Sequence, residues 1–113
     1  MPRDFRLYLE DILEAIRKIE RYVEGVSFEK FVADSMRVDA VLRNLQIIGE
    51  AVKRIPEEVK QERPSIEWRK IGALRDIVAH EYFGVDLEIV WDIVQSQLAT
   101  LRHSISIVLD EER

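Results

Sequence analysis

Apolar residues recur at helical spacing along most of the chain. In the first segment the intervals alternate between four and three residues, which places these side chains on one face of an α-helix: Phe5, Leu9, Ile12, Ile16, Ile19 and Val23. Tyr8 widens this apolar stripe. Residues 87–108 repeat the same intervals, and residues 38–55 and 68–78 follow a helical period. Since no segment alternates apolar and polar residues as a half-buried strand does, the pattern predicts four main helices.

Capping residues and helix breakers separate the predicted helices. Gly25 suits the position after the first helix, and Ser27 suits the start of a short helix over residues 28–32. Either Asp34 or Ser35 then caps a longer helix. That helix ends before Pro56, because proline has no amide hydrogen to continue the hydrogen-bond ladder.

The second half of the chain is predicted to hold a polar connector and two further helices. Residues 57–63 are too few and too polar for more than one or two helical turns. Ser65 is expected to cap a helix that ends near Phe83 and Gly84, and Asp86 to cap the last helix. These elements predict one all-α domain over residues 1–113, an up-and-down four-helix bundle with short extra helices.

The composition fits a small single domain and excludes thiol chemistry. The chain has 113 residues, of which 47% are hydrophobic and 35% are charged, so it can bury a core and stay in solution. It has no cysteine, which excludes a disulfide scaffold, a thiol nucleophile and thiolate metal sites. No apolar run reaches the roughly 18 residues of a membrane span, and the start of the chain lacks the apolar stretch of a signal peptide. A cytoplasmic protein without a membrane partner is therefore expected.

Charge is distributed unevenly along the chain. The net charge is -5, but basic residues outnumber acidic ones over 51–75, and the reverse holds over 76–113. The acidic total argues against binding long duplex nucleic acid, while the basic middle leaves a small phosphate site possible. These cations either guide nucleic acid to a site or form a solvated face: Lys53, Arg54, Lys60, Arg63, Arg69 and Lys70.

One short stretch of the sequence holds the candidate catalytic residues. The two histidines lie far apart without a His-x-x-x-His pair, so neither a metal site nor a metal cofactor is expected. The four glycines stand alone, which excludes a glycine-rich phosphate loop, and no serine lies in a nucleophile elbow. What remains is the stretch from Arg75 to Tyr82, which also holds Asp76 and His80.

Helical spacing places these four side chains on adjoining surfaces. On a regular helix Arg75 and Tyr82 lie within about 20° of each other, and Asp76 and His80 within about 40°. Arg75 and His80 are about 140° apart, so they meet only through the long arginine side chain, a distorted turn or a partner subunit. Guanidinium binds phosphate oxygens and imidazole moves protons near neutral pH, which suits metal-free phosphodiester chemistry. The spacing alone favours an ordinary helix face with an Asp–His pair, a salt-bridged arginine and a packed tyrosine.

The stretch from Trp68 to Asp86 resembles the signature of the HEPN superfamily, specifically its HepT-like branch. In that signature an arginine is followed after four to six residues by histidine, here as Arg75 and then His80-Glu81-Tyr82. Residues 44–51, Asn-Leu-Gln-Ile-Ile-Gly-Glu-Ala, resemble the second helix of the same branch, and Val90-Trp91 its last helix. The resemblance extends from about Tyr8 to Ile105.

The resemblance implies a HEPN-like helical bundle that forms a homodimer, with the Arg–His motifs of both subunits facing a shared cleft. Members of the branch are metal-independent ribonuclease toxins encoded beside a minimal nucleotidyltransferase that acts as antitoxin. By this resemblance Arg75 binds the scissile phosphate of RNA, and His80 acts as general base or acid while a ribose 2′-hydroxyl attacks phosphorus. Tyr82 matches the tyrosine that receives AMP from the partner, and the added phosphate charge would oppose RNA binding.

Other residues receive weaker assignments. Asp76 replaces a polar residue that is often asparagine in the family, and it either weakens RNA binding or orients His80. Glu50 is expected to pair with Arg75 in a supporting role. Lys53, Arg54, Arg69 and Lys70 are candidates for RNA binding. Trp68 is expected in the core rather than stacked on a base, and His103 at the edge of the bundle.

Two further hypotheses remain open on the sequence. One is a non-catalytic helical subunit that binds a minimal nucleotidyltransferase and presents nucleotide or substrate to it, which the acidic total charge and Asp76 favour. The other is a dimeric helical scaffold in which the motif residues have no chemical role.

Overall fold

A computed structural model of the chain describes residues 3–79 and 86–113, without the side chains of residues 78 and 79. The residues so described form eight α-helices and no strand, which confirms the predicted all-α fold. The helices are α1 Phe5–Val23, α2 Phe28–Ala33, α3 Ser35–Lys53, α4 Glu57–Gln61, α5 Trp68–Gly72, α6 Leu74–Ala79, α7 Leu87–Ser96 and α8 Leu98–Glu112.

The first three helices begin at the residues that the sequence predicts. Gly25 follows α1 with a φ of 70°, a left-handed conformation that glycine adopts without steric cost. The Ser27 side chain caps α2 by accepting a hydrogen bond from the Lys30 backbone nitrogen. Asp34 rather than Ser35 caps α3, since its carboxylate accepts from the Arg37 backbone nitrogen at 3.1 Å. Helix α3 ends at Lys53, slightly earlier than the end near Ile55 that the apolar spacing over residues 38–55 predicts.

The two predicted helices of the second half are each divided. The helix expected to follow Ser65 begins at Trp68 without a side-chain cap, and Ala73 separates α5 from α6. Gln97, with φ of -118°, separates α7 from α8. The apolar intervals continue across both breaks because they specify which face is buried, not whether the hydrogen-bond ladder is continuous. The predicted helix end near Phe83 and Gly84 lies outside the described residues.

Helix α3 lies at the centre of the bundle. It packs against α1 on one side and against α5 and α6 on the other, while α1 also packs against α8. The fully buried side chains come from α1, α2, α3, α7 and α8, and they include Leu9, Ile16, Phe31, Leu45, Ile48, Val90 and Ile105. The position of α6, which carries Arg75, is therefore set by its packing on α3.

Arg63 attaches the connector to the end of the bundle. Its guanidinium pairs with Glu111 at 2.8 Å and with Glu112 at 3.0 Å, both on α8, and only 13% of its side chain is exposed. Its charge is therefore balanced within the fold, which favours a structural role for Arg63 over guiding nucleic acid. In the part of the chain that the structure describes, no helix has the length and apolar character to cross a membrane.

Candidate functional site

Gly49 sets the position of Arg75. A Cβ atom at Gly49 would lie 2.6 Å from the Arg75 backbone nitrogen, 2.8 Å from the Arg75 Cβ and 3.0 Å from the Gly72 carbonyl oxygen. These distances are shorter than van der Waals contacts, so α6 can begin this close to α3 only because residue 49 has no side chain. The first turn of α6 is held against the middle of the bundle.

The Arg75 side chain is exposed and lines a cleft of about 430 Å³. Among the described residues it forms no ion pair, so its guanidinium is available to an anionic ligand. This cleft, called the α1–α3 cleft below, is lined by Tyr8, Asp11, Ile47, Glu50, Ala51, Lys53, Arg54 and Arg75.

A second cleft, of about 490 Å³, lies beside the first one. Lys53 lines both clefts, and its aliphatic stem passes over Gly72, where a Cβ atom would be 3.6 Å from the Lys53 Cε. Asp76 is half-buried in the wall of this second cleft. The α4–α5 cleft, as it is called below, is lined by Val52, Lys53, Glu57, Lys60, Gln61, Trp68, Arg69, Gly72, Ala73 and Asp76.

The structure separates the four predicted RNA-binding cations into two groups. Lys53, Arg54 and Arg69 are exposed at the two clefts, and the ion pairs formed between described residues do not include them. Lys70 is also exposed, but it pairs with Glu67 at 3.4 Å. It lines a different depression, between α5 and the α7–α8 region. Three of the four cations therefore accompany Arg75 and Asp76.

Glu50 and Arg75 line the same cleft without forming the expected ion pair. The Glu50 carboxylate instead accepts a hydrogen bond of 3.3 Å from the Gln46 side chain, one turn earlier on α3. No ion pair within 4 Å joins Glu50 to any other residue that the structure describes. Glu50 therefore does not support Arg75 through the expected ion pair.

Trp68 and His103 lie where the sequence predicts. The Trp68 ring is buried, and its indole nitrogen donates to the Arg63 carbonyl oxygen at 3.2 Å, which confirms a core position. His103 is exposed on α8. No group of three or more metal-ligating side chains occurs within the described ranges.

His80 and Tyr82 lie outside the described residues. Helix α6 is described as far as Ala79, the residue before His80, so the histidine follows directly on the helix that carries Arg75. The predicted angle of about 140° between Arg75 and His80 stays a prediction.

A family match covers the motif and the α4–α5 cleft, and it begins just after Tyr8 and Asp11 of the α1–α3 cleft. Residues 12–108 match the family model described as ribonuclease HepT-like. This chain belongs to the HepT-like ribonuclease family. Membership of the HepT-like branch and the ribonuclease class are thereby confirmed at the level of the family.

Two relatives illustrate the likeness. A protein of Thermococcus cleftensis named "Probable ribonuclease HepT" is 43% identical over 102 residues, which cover 90% of this chain and 93% of the relative. A provisionally named RNase of Caldanaerobacter subterraneus subsp. tengcongensis is 38% identical over 108 residues, or 96% of each chain. No solved structure matches the chain significantly.

The roles of two residues at the site were not predicted from the sequence. The spacing of apolar positions placed Tyr8 beside the buried stripe of α1, but it carried no signal that this tyrosine lines a cleft with Arg75. Gly49 lies in the segment that resembles the family, yet only the crossing of α3 and α6 explains why glycine is needed there.

Proposed function

We propose that this protein is a metal-independent endoribonuclease toxin of a type VII-like HEPN/nucleotidyltransferase toxin–antitoxin pair. The observation that carries the proposal is the environment of Arg75. Its guanidinium is exposed in a cleft with Lys53 and Arg54, and none of the three pairs with a carboxylate among the described residues. A cluster of unneutralised cations at the start of a rigidly packed helix suits the binding of a phosphodiester.

The reaction requires one group that binds the phosphate and one that moves protons. Arg75 binds the nonbridging oxygens of the scissile phosphate and stabilises the charge that develops on them. His80 removes the proton from the ribose 2′-hydroxyl, whose oxygen attacks phosphorus, and the bond from phosphorus to the 5′-oxygen breaks. The leaving 5′-oxygen takes up a proton, so the products are a 2′,3′-cyclic phosphate and a 5′-hydroxyl end. No metal ion takes part in this scheme.

RNA reaches the site along the cations of the two clefts. Lys53, Arg54 and Arg69 attract the phosphates that flank the scissile one, because these side chains are exposed at the two clefts and Lys53 lines both. Lys70, which pairs with Glu67 and lines a different depression, is not assigned a place on this path.

A homodimer completes the cleft in this proposal. On a regular helix Arg75 and His80 point in directions about 140° apart, so one chain places them poorly for a single phosphate. When the motifs of two subunits face each other, Arg75 of one chain and His80 of the other approach the same phosphate.

Regulation is assigned to a minimal nucleotidyltransferase partner. The phenol oxygen of Tyr82 attacks the α-phosphorus of ATP, pyrophosphate leaves, and the phenol proton is lost to solvent or a base. The AMP that remains adds negative charge two residues from His80, where it repels RNA phosphates and silences the toxin. Intact-mass measurement after co-expression with such an enzyme is expected to show one added AMP per chain, which Tyr82→Phe abolishes.

The decisive experiment is RNA cleavage by the purified protein in excess chelator. We expect the wild type to cleave RNA, His80→Ala to lose cleavage, and His103→Ala to retain it, since His103 is exposed on α8 away from the motif. Mapping the ends of the products is expected to give cyclic phosphates.

One outcome would contradict catalysis. If the wild type cleaves no faster than His80→Ala while still binding a nucleotidyltransferase, the chain is instead the non-catalytic subunit that presents nucleotide or substrate.

A further inference from the structure

An aromatic ring and three cations share the α1–α3 cleft. Tyr8 lies on α1, half-buried against the core, and its side chain lines the cleft together with Lys53 and Arg54 at the end of α3 and Arg75 on α6. The proposed ribonuclease reaction does not use this tyrosine. Its placement is independent of the Arg–His motif, because it comes from the packing of α1 on α3.

Arg3, which precedes α1, lies over the ring of Tyr8. The Arg3 guanidinium lies 4.7 Å from the centre of the Tyr8 ring, a distance suited to a cation–π contact. Arg3 is itself held by Asp11, with 2.6 Å between Nη1 and Oδ2. One face of the ring is therefore covered by a side chain whose charge is already balanced, and a base that stacks on that face must displace the exposed Arg3.

The same ion pair changes the electrostatics of the cleft. Asp11 and Glu50 are the acidic residues among the described residues that line it, and Arg3 neutralises Asp11. Glu50 alone then faces Lys53, Arg54 and Arg75, so the cleft favours an anion.

These features match a nucleotide of single-stranded RNA. An aromatic face takes a base, neighbouring cations take the phosphates on either side, and a volume of about 430 Å³ is that of a small-ligand site. Paired bases are already stacked and present only their edges, so an aromatic ring selects an unpaired nucleotide. We propose that the α1–α3 cleft is a nucleotide subsite in which Tyr8 stacks on an unpaired base adjacent to the phosphate that Arg75 binds. The inference rests on the proposed ribonuclease function.

The test pairs a protein variant with a change in the RNA. Single abasic sites are placed in turn at each position flanking the cleavage point, so that base stacking is lost while the ribose and phosphate remain. Dissociation constants are measured with an uncleavable RNA carrying a 2′-deoxyribose at the cleavage point, and kcat and KM with the cleavable RNA. For the wild type we expect one abasic position to weaken binding about 5- to 150-fold, the range for loss of one aromatic stack.

Tyr8→Ala is expected to weaken binding of intact RNA by the same factor and to be insensitive to that abasic position. The loss should appear mainly in KM, with kcat little changed. Tyr8→Phe retains the ring and should bind like the wild type. The matched control is Tyr22→Ala, which removes a half-buried tyrosine from the same helix but away from the cleft, and should leave RNA binding unchanged.

Two outcomes would overturn the subsite. If the abasic RNA loses as much affinity with Tyr8→Ala as with the wild type, or if Tyr8→Ala and Tyr22→Ala behave alike, Tyr8 does not stack on a base. In either case the wild type still cleaves RNA, so the ribonuclease proposal survives. If the wild type neither binds nor cleaves any RNA, both proposals fail together.

Discussion

Arg75 combines an exposed side chain with a tightly packed backbone. Its backbone nitrogen and Cβ lie against Gly49, whereas its guanidinium is directed into a cleft and forms no ion pair within the described part of the chain. The distinctive feature is that the backbone beneath this arginine has little freedom to move.

Replacing Arg75 tests whether the geometry of its charge matters. Arg75→Lys keeps a positive charge but loses the planar fork that donates two parallel hydrogen bonds to a phosphate. We expect kcat for RNA cleavage to fall about 10- to 100-fold in Arg75→Lys and about 100- to 1000-fold in Arg75→Ala. Thermal unfolding midpoints should stay near the wild-type value, because the side chain is exposed.

Arg43→Lys serves as the control for this pair. Arg43 is an exposed arginine of α3 that lines neither cleft, and its replacement should leave cleavage unchanged. Wild-type kcat in Arg75→Lys would mean that a positive charge suffices and that Arg75 makes no bidentate contact with phosphate.

At the scale of single residues, the basic side chains of residues 51–75 have different roles. Composition predicts a positive segment, but the fold decides which charges remain available. Arg63 is neutralised by Glu111 and Glu112 and Lys70 is paired with Glu67, whereas Lys53 stands between two clefts. The pair of Lys70 with Glu67 is local, whereas the neutralisation of Arg63 depends on a distant part of the chain.

At the scale of elements, the contact between α3 and α6 positions the motif. The missing side chain at Gly49 leaves room for the start of α6. The break between α5 and α6 falls at Ala73, two residues before Arg75, whose backbone lies against Gly49. A regular helix over 65–83 would continue past α3 on a single axis. The divided form lets α5 follow the connector while α6 lies against Gly49.

Gly49→Ala is expected to displace Arg75 and reduce cleavage. An added methyl would lie 2.6 Å from the Arg75 nitrogen, so α6 must shift by several tenths of an ångström. Alanine stabilises the interior of α3 by about 1 kcal/mol relative to glycine, while overpacking costs about 1–3 kcal/mol, so the free energy of unfolding should fall only modestly. We expect kcat to fall at least about tenfold, because small misplacements of a phosphate-binding group are costly.

A double-mutant cycle separates positioning from general damage. If Gly49 acts through Arg75, then Gly49→Ala combined with Arg75→Ala should cleave no more slowly than Arg75→Ala alone. Gly72→Ala is the matched control, since its methyl would make only an ordinary contact of 3.6 Å with the Lys53 stem. Multiplicative losses in the double variant would show that Gly49→Ala damages the fold rather than the position of Arg75.

The caps of α1 and α3 make stability depend on acidity. The hydrogen bond from the Arg37 backbone nitrogen lowers the pKa of Asp34 below its ordinary value of 3.8, and the Arg6 side chain does the same for Asp4. A carboxylate whose pKa is lower in the folded state stabilises the fold above its unfolded pKa. This stabilisation is lost as the pH falls through the lower, folded pKa.

Asp34→Asn should therefore reduce the pH dependence of stability below about pH 4. Asparagine keeps an acceptor oxygen for the cap but does not titrate. Urea unfolding between pH 2 and 7 measures the effect, and Asp39→Asn, at an exposed position within α3, is the comparison. Equal slopes for wild type and Asp34→Asn in the acid range would mean that the cap does not contribute to acid unfolding.

At the scale of the whole molecule, the proposed reaction takes one arginine and one histidine from the motif and needs both at the same phosphate. Within the part of the chain that the structure describes, α3 and α8 pack on α1 and its residues Leu9, Ile12 and Ile16 are fully buried. The proposed need for a second subunit arises instead from the angle of about 140° that a regular helix would give between Arg75 and His80.

Mixed dimers test the shared cleft. Arg75→Ala and His80→Ala homodimers are each expected to be inactive. Suppose that each phosphate is held by Arg75 of one subunit and cleaved with His80 of the other. A mixed dimer then has two clefts, one with both wild-type residues and one with both substitutions. Random exchange of subunits then restores up to about a quarter of wild-type activity.

Native mass spectrometry should confirm that mixed dimers have formed before cleavage is measured. Inactivity in a sample that contains them would show that Arg75 and His80 act within one subunit.

The sequence by itself determined the features that depend on neighbours within a few residues. The apolar intervals, the caps at Ser27, Asp34 and Asp86, and the glycine after α1 all act within about one helical turn, and each lies where it was predicted. The stretch from Arg75 to Tyr82 also stood out by residue types at short spacing, although only its resemblance to the HepT-like family gave these residues a proposed role.

Tertiary structure alone decided the features that join distant segments. The breaks at Ala73 and Gln97, the ion pairs of Arg63 with α8, the Gly49 contact with Arg75 and the meeting of Tyr8 with that arginine were not predicted. The physical reason is that local periodicity specifies which face of a helix is buried. Where two helices cross, and which side chains then share a cleft, depends on packing between residues that the chain keeps far apart.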